Sequence, residues 1–176
     1  MGSRVLKALQ EIGSHAVGNL NNIKVKTVAH GALVKGNVDN FTLVELDFED
    51  GERVAKQLSA IDKKAYLIAT PETRYLGEAM VDFYNEEGDR ARIVILEEGY
   101  TRFDTSAFSL NTGVSEVKKN QVAHFDPTAK KFIISEVSSA HADYSGSKAK
   151  FLVVNNEEDM EYTLGAQMVR LEVIEA

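Results

Sequence analysis

Apolar and polar residues alternate along much of the chain, which is the period of half-buried β-strands. From Ile23 the apolar positions alternate with lysines, and near the end Val169, Leu171 and Val173 alternate with charged residues. Runs of the same kind predict further strands at Phe41–Phe48, Ala65–Thr70, Met80–Tyr84, Ala91–Leu96, Gln121–Phe125, Lys131–Ser135, Lys150–Val154 and Met168–Ile174. Strands are therefore expected to dominate the fold.

Turn-forming residues separate these strands at short intervals. Asn85–Asp89 and Asp126–Lys130 each lie between two predicted strands, and Pro127 suits the first central position of a turn. Both segments predict hairpins. Glu52–Ala60 and Thr105–Leu110 each have room for one or two helical turns. With no strand–helix–strand rhythm and no internal repeat, the pattern predicts a mainly β fold, a single β-barrel or sandwich-like domain.

The first residues follow a different period. Val5, Leu9 and Ile12 share one face of a predicted short helix that spans Ser3–Gly13, and Gly13–Asn22 has the composition of a tether. The predicted organisation is an N-terminal helical arm and tether over residues 1–22 and a β-rich domain over residues 23–176. The arm either covers the domain's own core or packs on a neighbouring subunit, so those three apolar side chains are candidate partner-binding residues.

Charge and composition narrow the classes of partner. The chain of 176 residues carries 27 acidic and 20 basic side chains, a formal net charge of -7, which opposes binding to nucleic acid and to anionic membranes. It has no cysteine, so disulfides, thiolate nucleophiles and cysteine-ligated metals are excluded. No apolar run approaches the roughly 20 residues that span a bilayer. We expect no membrane segment and no nucleic-acid partner.

Residues that could carry chemistry are scattered. His15, His30, His124 and His141 show none of the helical spacings that present two metal ligands on one face. Asp143 lies two positions after His141, and in a strand the pair would share one face and point into solvent. No Gly-x-Ser-x-Gly elbow is present. The sequence thus predicts no catalytic residue, metal site or cofactor, and a protein that is not an enzyme.

A set of motifs lies in the middle third of the chain. A predicted strand ends at Thr-Pro-Glu in Leu67–Glu72, Asp82–Ala91 contains an Asp-Phe-x-Asn-Glu-x-Gly motif, and Gly99–Phe103 and Ala107–Phe108 follow. Together these motifs resemble those of a family of small structural proteins of tailed-phage particles. Genes of this family lie close to that of the major capsid protein. The resemblance implies a particle component and brings no catalytic residue with it.

Three functions follow as hypotheses. The first is a capsid decoration protein in the virion that binds the major capsid protein or other virion subunits and is a homo-oligomer in the particle. The second is a tail-tube or head–tail connector subunit, in which β-domains join into rings. The third is a carbohydrate-binding module or an unrecognised hydrolase, because 27 acidic residues can bring two carboxylates together in a fold.

Overall fold

The computed structural model describes residues 16–72, 83–157 and 167–176, and within them thirteen strands and two short 3₁₀ turns form. In these residues no helix is long and apolar enough to cross a membrane. The strands are β1 (Gly18–Leu20), β2 (Ala32–Val34), β3 (Leu43–Glu49), β4 (Glu52–Gln57), β5 (Tyr66–Ile68), β6 (Arg90–Ala91), β7 (Ile93–Val94), β8 (Arg102–Thr105), β9 (Phe108–Leu110), β10 (Val122–Asp126), β11 (Lys131–Ser135), β12 (Lys150–Val153) and β13 (Val169–Glu175). The 3₁₀ turns are Val137–Ser139 and Ala142–Tyr144.

The strands form two mixed sheets. One has seven strands in the order β1-β8-β13-β12-β10-β11-β9, and the other has six in the order β6-β2-β4-β3-β5-β7. Most neighbours are antiparallel, whereas β9 with β11 and β2 with β4 are parallel. The prediction of a mainly β fold is confirmed. The barrel alternative is wrong for the described residues, because both sheets end in edge strands and neither closes on itself.

The two sheets share one hydrophobic core. Leu43, Leu67 and Val94 of the six-stranded sheet cluster with apolar residues of the seven-stranded sheet, as a sandwich-like arrangement requires. At its centre the ring of Phe132 lies 5.6 Å from that of Phe103 and 5.1 to 5.2 Å from those of Phe125 and Phe151. A smaller apolar cluster, including Val34, Val44, Ala55 and Ile68, packs apart from this core.

The local predictions had mixed outcomes. The hairpin around Asp126–Lys130 is confirmed, since β10 pairs with β11 in register from Val122 opposite Ser135 to Asp126 opposite Lys131. The hairpin predicted around Asn85–Asp89 is not present in the described residues. Asn85 instead exchanges backbone hydrogen bonds with Val38, and Gly88 and Asp89 bond to the backbone of Val34. Met80–Asp82, the rest of the strand predicted before Asn85, lies outside the described residues.

Both segments predicted to have room for helical turns are extended. Glu52–Gln57 is strand β4, joined to β3 by a turn in which Asp50 and Gly51 have φ of 51° and 83°. Two central residues with positive φ match the hairpin turn that continues the right-handed twist of its strands. The second segment contributes Thr105 to β8 and Phe108–Leu110 to β9.

The N-terminal organisation also differs from the prediction. Val5, Leu9 and Ile12 lie outside the described residues, and no described residue supports a helical arm. Within the predicted tether, Gly18–Leu20 is strand β1 and pairs with β8, so the β-rich domain begins before residue 23. Gly18 has to be glycine here, because a side chain would collide with the ring of Phe41 and with a backbone carbonyl.

Candidate functional site

Two sites in the described residues depart from the rule that polar groups face water and apolar groups face the core, and each also offers a place for a ligand or a partner. The first is His124, at the centre of β10 between β11 and β12. Its strand neighbours Ala123 and Phe125 belong to the main core, so the alternation of the strand directs His124 to the opposite face of the sheet. That face is covered by the segment after β11, and the imidazole is 0% exposed.

The covering segment brings two more chemical groups to His124. The ring of His141 stacks on that of His124, with centroids 5.0 Å apart and planes at 25°, and the ring of Tyr144 lies 6.4 Å away at 75°. His141 Nδ1 accepts the backbone N–H of Asp143 at 3.3 Å and lies 3.6 Å from its carboxylate. One ligand atom each from His124, His141 and Asp143 lies within 4.8 Å of the other two.

The local backbone holds this segment in place. The backbone N–H of His141 donates to Ser135 Oγ at 3.2 Å, which ties the turn to the end of β11. The backbone N–H of Tyr144 donates to the carbonyl of His141 at 3.0 Å. The arrangement therefore depends on the β10–β11 hairpin and on the return of the chain across its outer face.

The surroundings of His124 disfavour its charged form. Burial lowers the pKa of His124, and the neighbouring His141 lowers it further, whereas Asp143 and Asp126 act in the opposite direction. Neither Nδ1 nor Nε2 of His124 has a hydrogen-bond partner among the described residues. Leaving a buried donor or acceptor unsatisfied costs about 1 to 3 kcal/mol. The site thus presents a buried imidazole with no hydrogen-bond partner among the described residues.

Sequence reasoning placed these residues differently. His141 and Asp143 were expected as a solvent-facing pair on a strand, but His141 caps a 3₁₀ turn that contains Asp143, and both lie beside His124. Local spacing could not show this, because the two segments meet only when the hairpin folds. The available signal was the phase of β10, which places His124 opposite the core positions Ala123 and Phe125. His30 stays exposed, and His15 lies outside the described residues.

The second break in the rule is an apolar pair left in water. Ile23 is fully exposed, at 103% of its reference area, and Tyr100 is 43% exposed. Both line a cleft of about 370 Å³ whose remaining walls come from Asn21, Asn22, Lys24, Gly99, Arg102 and Glu172. We call this the Ile23–Tyr100 groove. The strand predicted from Ile23 is absent, because the backbone bends at Ile23 and Lys24 and only an isolated bridge forms at Thr27.

Hydrogen bonds fix the walls of the Ile23–Tyr100 groove. The side-chain amide of Asn22 donates to the carbonyl of Tyr100, and its oxygen accepts the backbone N–H of Arg102 at 2.7 Å. Lys26 places its ammonium 5.9 Å from the Tyr100 ring while pairing with Glu97 at 2.6 Å. The apolar pair is therefore presented on an ordered surface. The other exposed large apolar side chains of the described residues are Phe48, Leu110 and Val137.

The chain is similar to proteins carried by a prophage. A family model described as "YonC prophage protein" matches residues 11–174, which include both the His124 cluster and the groove. An SPbeta prophage-derived uncharacterized protein, YonC, of Bacillus subtilis (strain 168) is 64% identical over 178 residues, with 100% of each chain covered. No solved structure matches the chain.

Proposed function

The chain belongs to the YonC family of prophage proteins, and from this phage origin we propose that it is a non-enzymatic structural component of the phage particle. In this proposal it is a decoration protein that binds the major capsid protein on the outer surface of the virion. There it bridges neighbouring capsid subunits.

The observation that carries the proposal is the Ile23–Tyr100 groove. The side chain of Ile23, exposed to 103% beside the half-exposed Tyr100, is not buried by any described residue. Burying the isoleucine in a partner would contribute roughly 1.5 to 3 kcal/mol. Tyrosine is also among the residues enriched at binding hot spots. Repeated over a symmetric lattice, even a weak contact of this kind gives a large avidity.

The charge of the chain supports an outer rather than an inner position. A formal net charge of -7 repels the packaged genome and so disfavours the inner surface of the shell. The groove itself offers both signs of charge, since Arg102 pairs with Glu172 and Lys24 lies at its edge. This composition fits a mixed apolar and polar protein surface better than a polyanion.

The proposal is tested on particles from an induced lysogen, purified by density gradient. We expect the chain to be present in them, and we expect an Ile23→Asp/Tyr100→Ala variant to bind stripped particles at least about tenfold more weakly in co-sedimentation, a loss of about 1.4 kcal/mol. Val137→Asp is the matched control, because Val137 is 66% exposed outside the groove. Absence of the chain from purified particles would overturn the proposal.

An observation at a different place favours a second candidate, a tail-tube or head–tail connector subunit. Among the described strands, β9 is an edge of the seven-stranded sheet and pairs only with β11, while its last residue, Leu110, is 36% exposed. An open edge can accept a strand from a second copy, and such contacts close into rings. Rings of the purified protein in negative-stain micrographs that Leu110→Lys abolishes would favour this function over decoration.

A further inference from the structure

We propose that His124, His141 and Asp143 form a binding site for a divalent transition-metal ion, with zinc as the ion that fits the ligands best. One ligand atom from each side chain lies within 4.8 Å of the other two, and the three come from two separate segments of the chain. This site is independent of the Ile23–Tyr100 groove and of the proposed role in the particle.

The burial of His124 is the second observation that points to a ligand. Its imidazole is 0% exposed, and neither ring nitrogen has a hydrogen-bond partner among the described residues. Buried polar atoms in native proteins are nearly always paired with protein, water or an ion. His141 and Asp143 are the ionisable groups in the cluster with it, so a cation held between the three would use one of the orphaned nitrogens.

The chemistry of the ligands selects the class of metal. Two imidazoles and one carboxylate suit zinc and the neighbouring first-row ions, whereas calcium and magnesium require mainly oxygen ligands. Three protein ligands leave at least one coordination position for water or for a group from another molecule.

The site has to contract slightly to hold the ion. Tetrahedral zinc with bonds of about 2.0 to 2.1 Å places its ligand atoms about 3.3 Å apart, compared with the 4.8 Å limit seen here. The side chains of His141 and Asp143 are 36% and 54% exposed, so they can move towards the fixed His124. This movement would break the 3.3 Å hydrogen bond from the backbone N–H of Asp143 to His141 Nδ1.

The surrounding charges allow a cation to approach. Lys150 lies opposite His124 in the next strand, but its ammonium pairs with Glu175 at 2.7 Å. Asp126 lies two positions after His124 on the same strand, and its carboxylate interacts electrostatically with the His124 imidazole. The negative charge of the whole chain also favours cations.

The test measures zinc binding by isothermal titration calorimetry with the untagged full-length protein, stripped with EDTA. We expect one saturable zinc site that excess magnesium and calcium do not block. Removing a group that only hydrogen-bonds to a metal ligand weakens metal binding by about 10- to 100-fold. His141→Gln and Asp143→Asn remove ligands themselves, so each should weaken zinc binding by at least about 10-fold. Both residues lie on the surface, so these variants should fold.

The matched control is His30→Asn, which removes an exposed histidine at φ 59°, a conformation that asparagine tolerates. It should bind zinc as the wild type does. Absence of saturable binding would overturn the proposal. So would equal affinity in His141→Gln and Asp143→Asn, because zinc would then be bound elsewhere and the partner of His124 would be a buried water.

Discussion

His124 and Ile23 depart from the ordinary distribution of side chains in opposite directions. His124 is polar and 0% exposed, whereas Ile23 is apolar and 103% exposed. The buried histidine owes its position to strand pairing and to a turn that folds over it. The exposed isoleucine owes its position to a bend that removes it from the alternation of a strand. His124 lacks a hydrogen-bond partner among the described residues, and Ile23 lacks apolar neighbours that would bury it.

The difference separates two kinds of binding. Orphaned nitrogens in a closed site can be satisfied only by something small enough to enter, such as an ion or a water molecule. An exposed side chain beside a cleft can be covered only by another surface. Departures of this kind are expected at functional sites, because folding alone selects against them. Substitutions at His124 and Ile23 can be compared with substitutions at residues whose burial matches their polarity, by the change in the free energy of unfolding.

The reference for ordinary burial is Phe132, at the centre of the main core. Its ring packs against those of Phe103, Phe125 and Phe151. Phe132→Ala should lower the free energy of unfolding by about 3 to 5 kcal/mol in urea denaturation, because it removes buried area and leaves a cavity. Phe48→Ala is the control, since Phe48 is 64% exposed and its ring lies 5.4 Å from the guanidinium of Arg53. An equal loss in the two variants would contradict this assignment of the core.

Asp104 is a buried polar group that does have a partner, and its removal measures how much that pairing stabilises the fold. Asp104 is 5% exposed and lies directly opposite Arg170, on the neighbouring strand β13. Its carboxylate accepts two hydrogen bonds from the guanidinium of Arg170, at 2.7 and 3.1 Å. Asp104→Ala should lower the free energy of unfolding by about 2 kcal/mol, between the values for exposed and fully buried pairs.

The control for Asp104→Ala is Glu52→Ala. Glu52 pairs with Arg90 at 3.0 Å, and both side chains are about half exposed, so the loss should stay within about 0.5 kcal/mol. A double-mutant cycle with Arg170→Ala separates the coupling between Asp104 and Arg170 from other effects. Coupling no larger than that of the surface pair would show that the burial of Asp104 does not strengthen its bond.

Sequence reasoning predicted the parts of the fold that depend on local pattern. The alternation of Val169, Leu171 and Val173 predicted the buried face of β13, and Pro127 marked the β10–β11 hairpin. It missed features set by contacts distant in sequence. Gly18 was assigned to a tether because its composition is that of a loop, and only pairing with β8 makes it a strand.

The same limit applies to the two candidate sites. The alternation of apolar and polar residues from Ile23 predicted that Ile23 and Val25 would share a buried face. The bend at Ile23 instead exposes Ile23, and Val25 packs on the main core. The sequence spacing indicated that His141 lies near Asp143, but not that it packs on His124. Tertiary contact overrides local preference at both sites, and a single sequence carries no direct record of such contacts.

His124→Leu tests the cost of the orphaned imidazole. In buffer with EDTA the variant should be more stable than the wild type by about 1 kcal/mol, because an apolar group replaces two unsatisfied polar atoms. Zinc at 100 times its dissociation constant should then stabilise the wild type by about 2.7 kcal/mol and leave the variant unchanged. Thermal melts with and without zinc measure both effects. A variant destabilised in EDTA would mean that the imidazole is already satisfied.

The smallest expected effect is that of Ile23→Ser on the isolated protein. Because the side chain is fully exposed, its loss should change the free energy of unfolding by no more than about 0.5 kcal/mol. Val25→Ser, two positions along the same segment, is the control and should cost about 1 kcal/mol, since Val25 packs against the main core. Urea denaturation of the two variants decides between the alternation, which predicts equal losses, and the bend, which predicts a loss at Val25 alone. If Ile23→Ser destabilises the monomer as much as Val25→Ser does, the isoleucine is covered by its own chain in solution, and the groove has no apolar surface left for a partner.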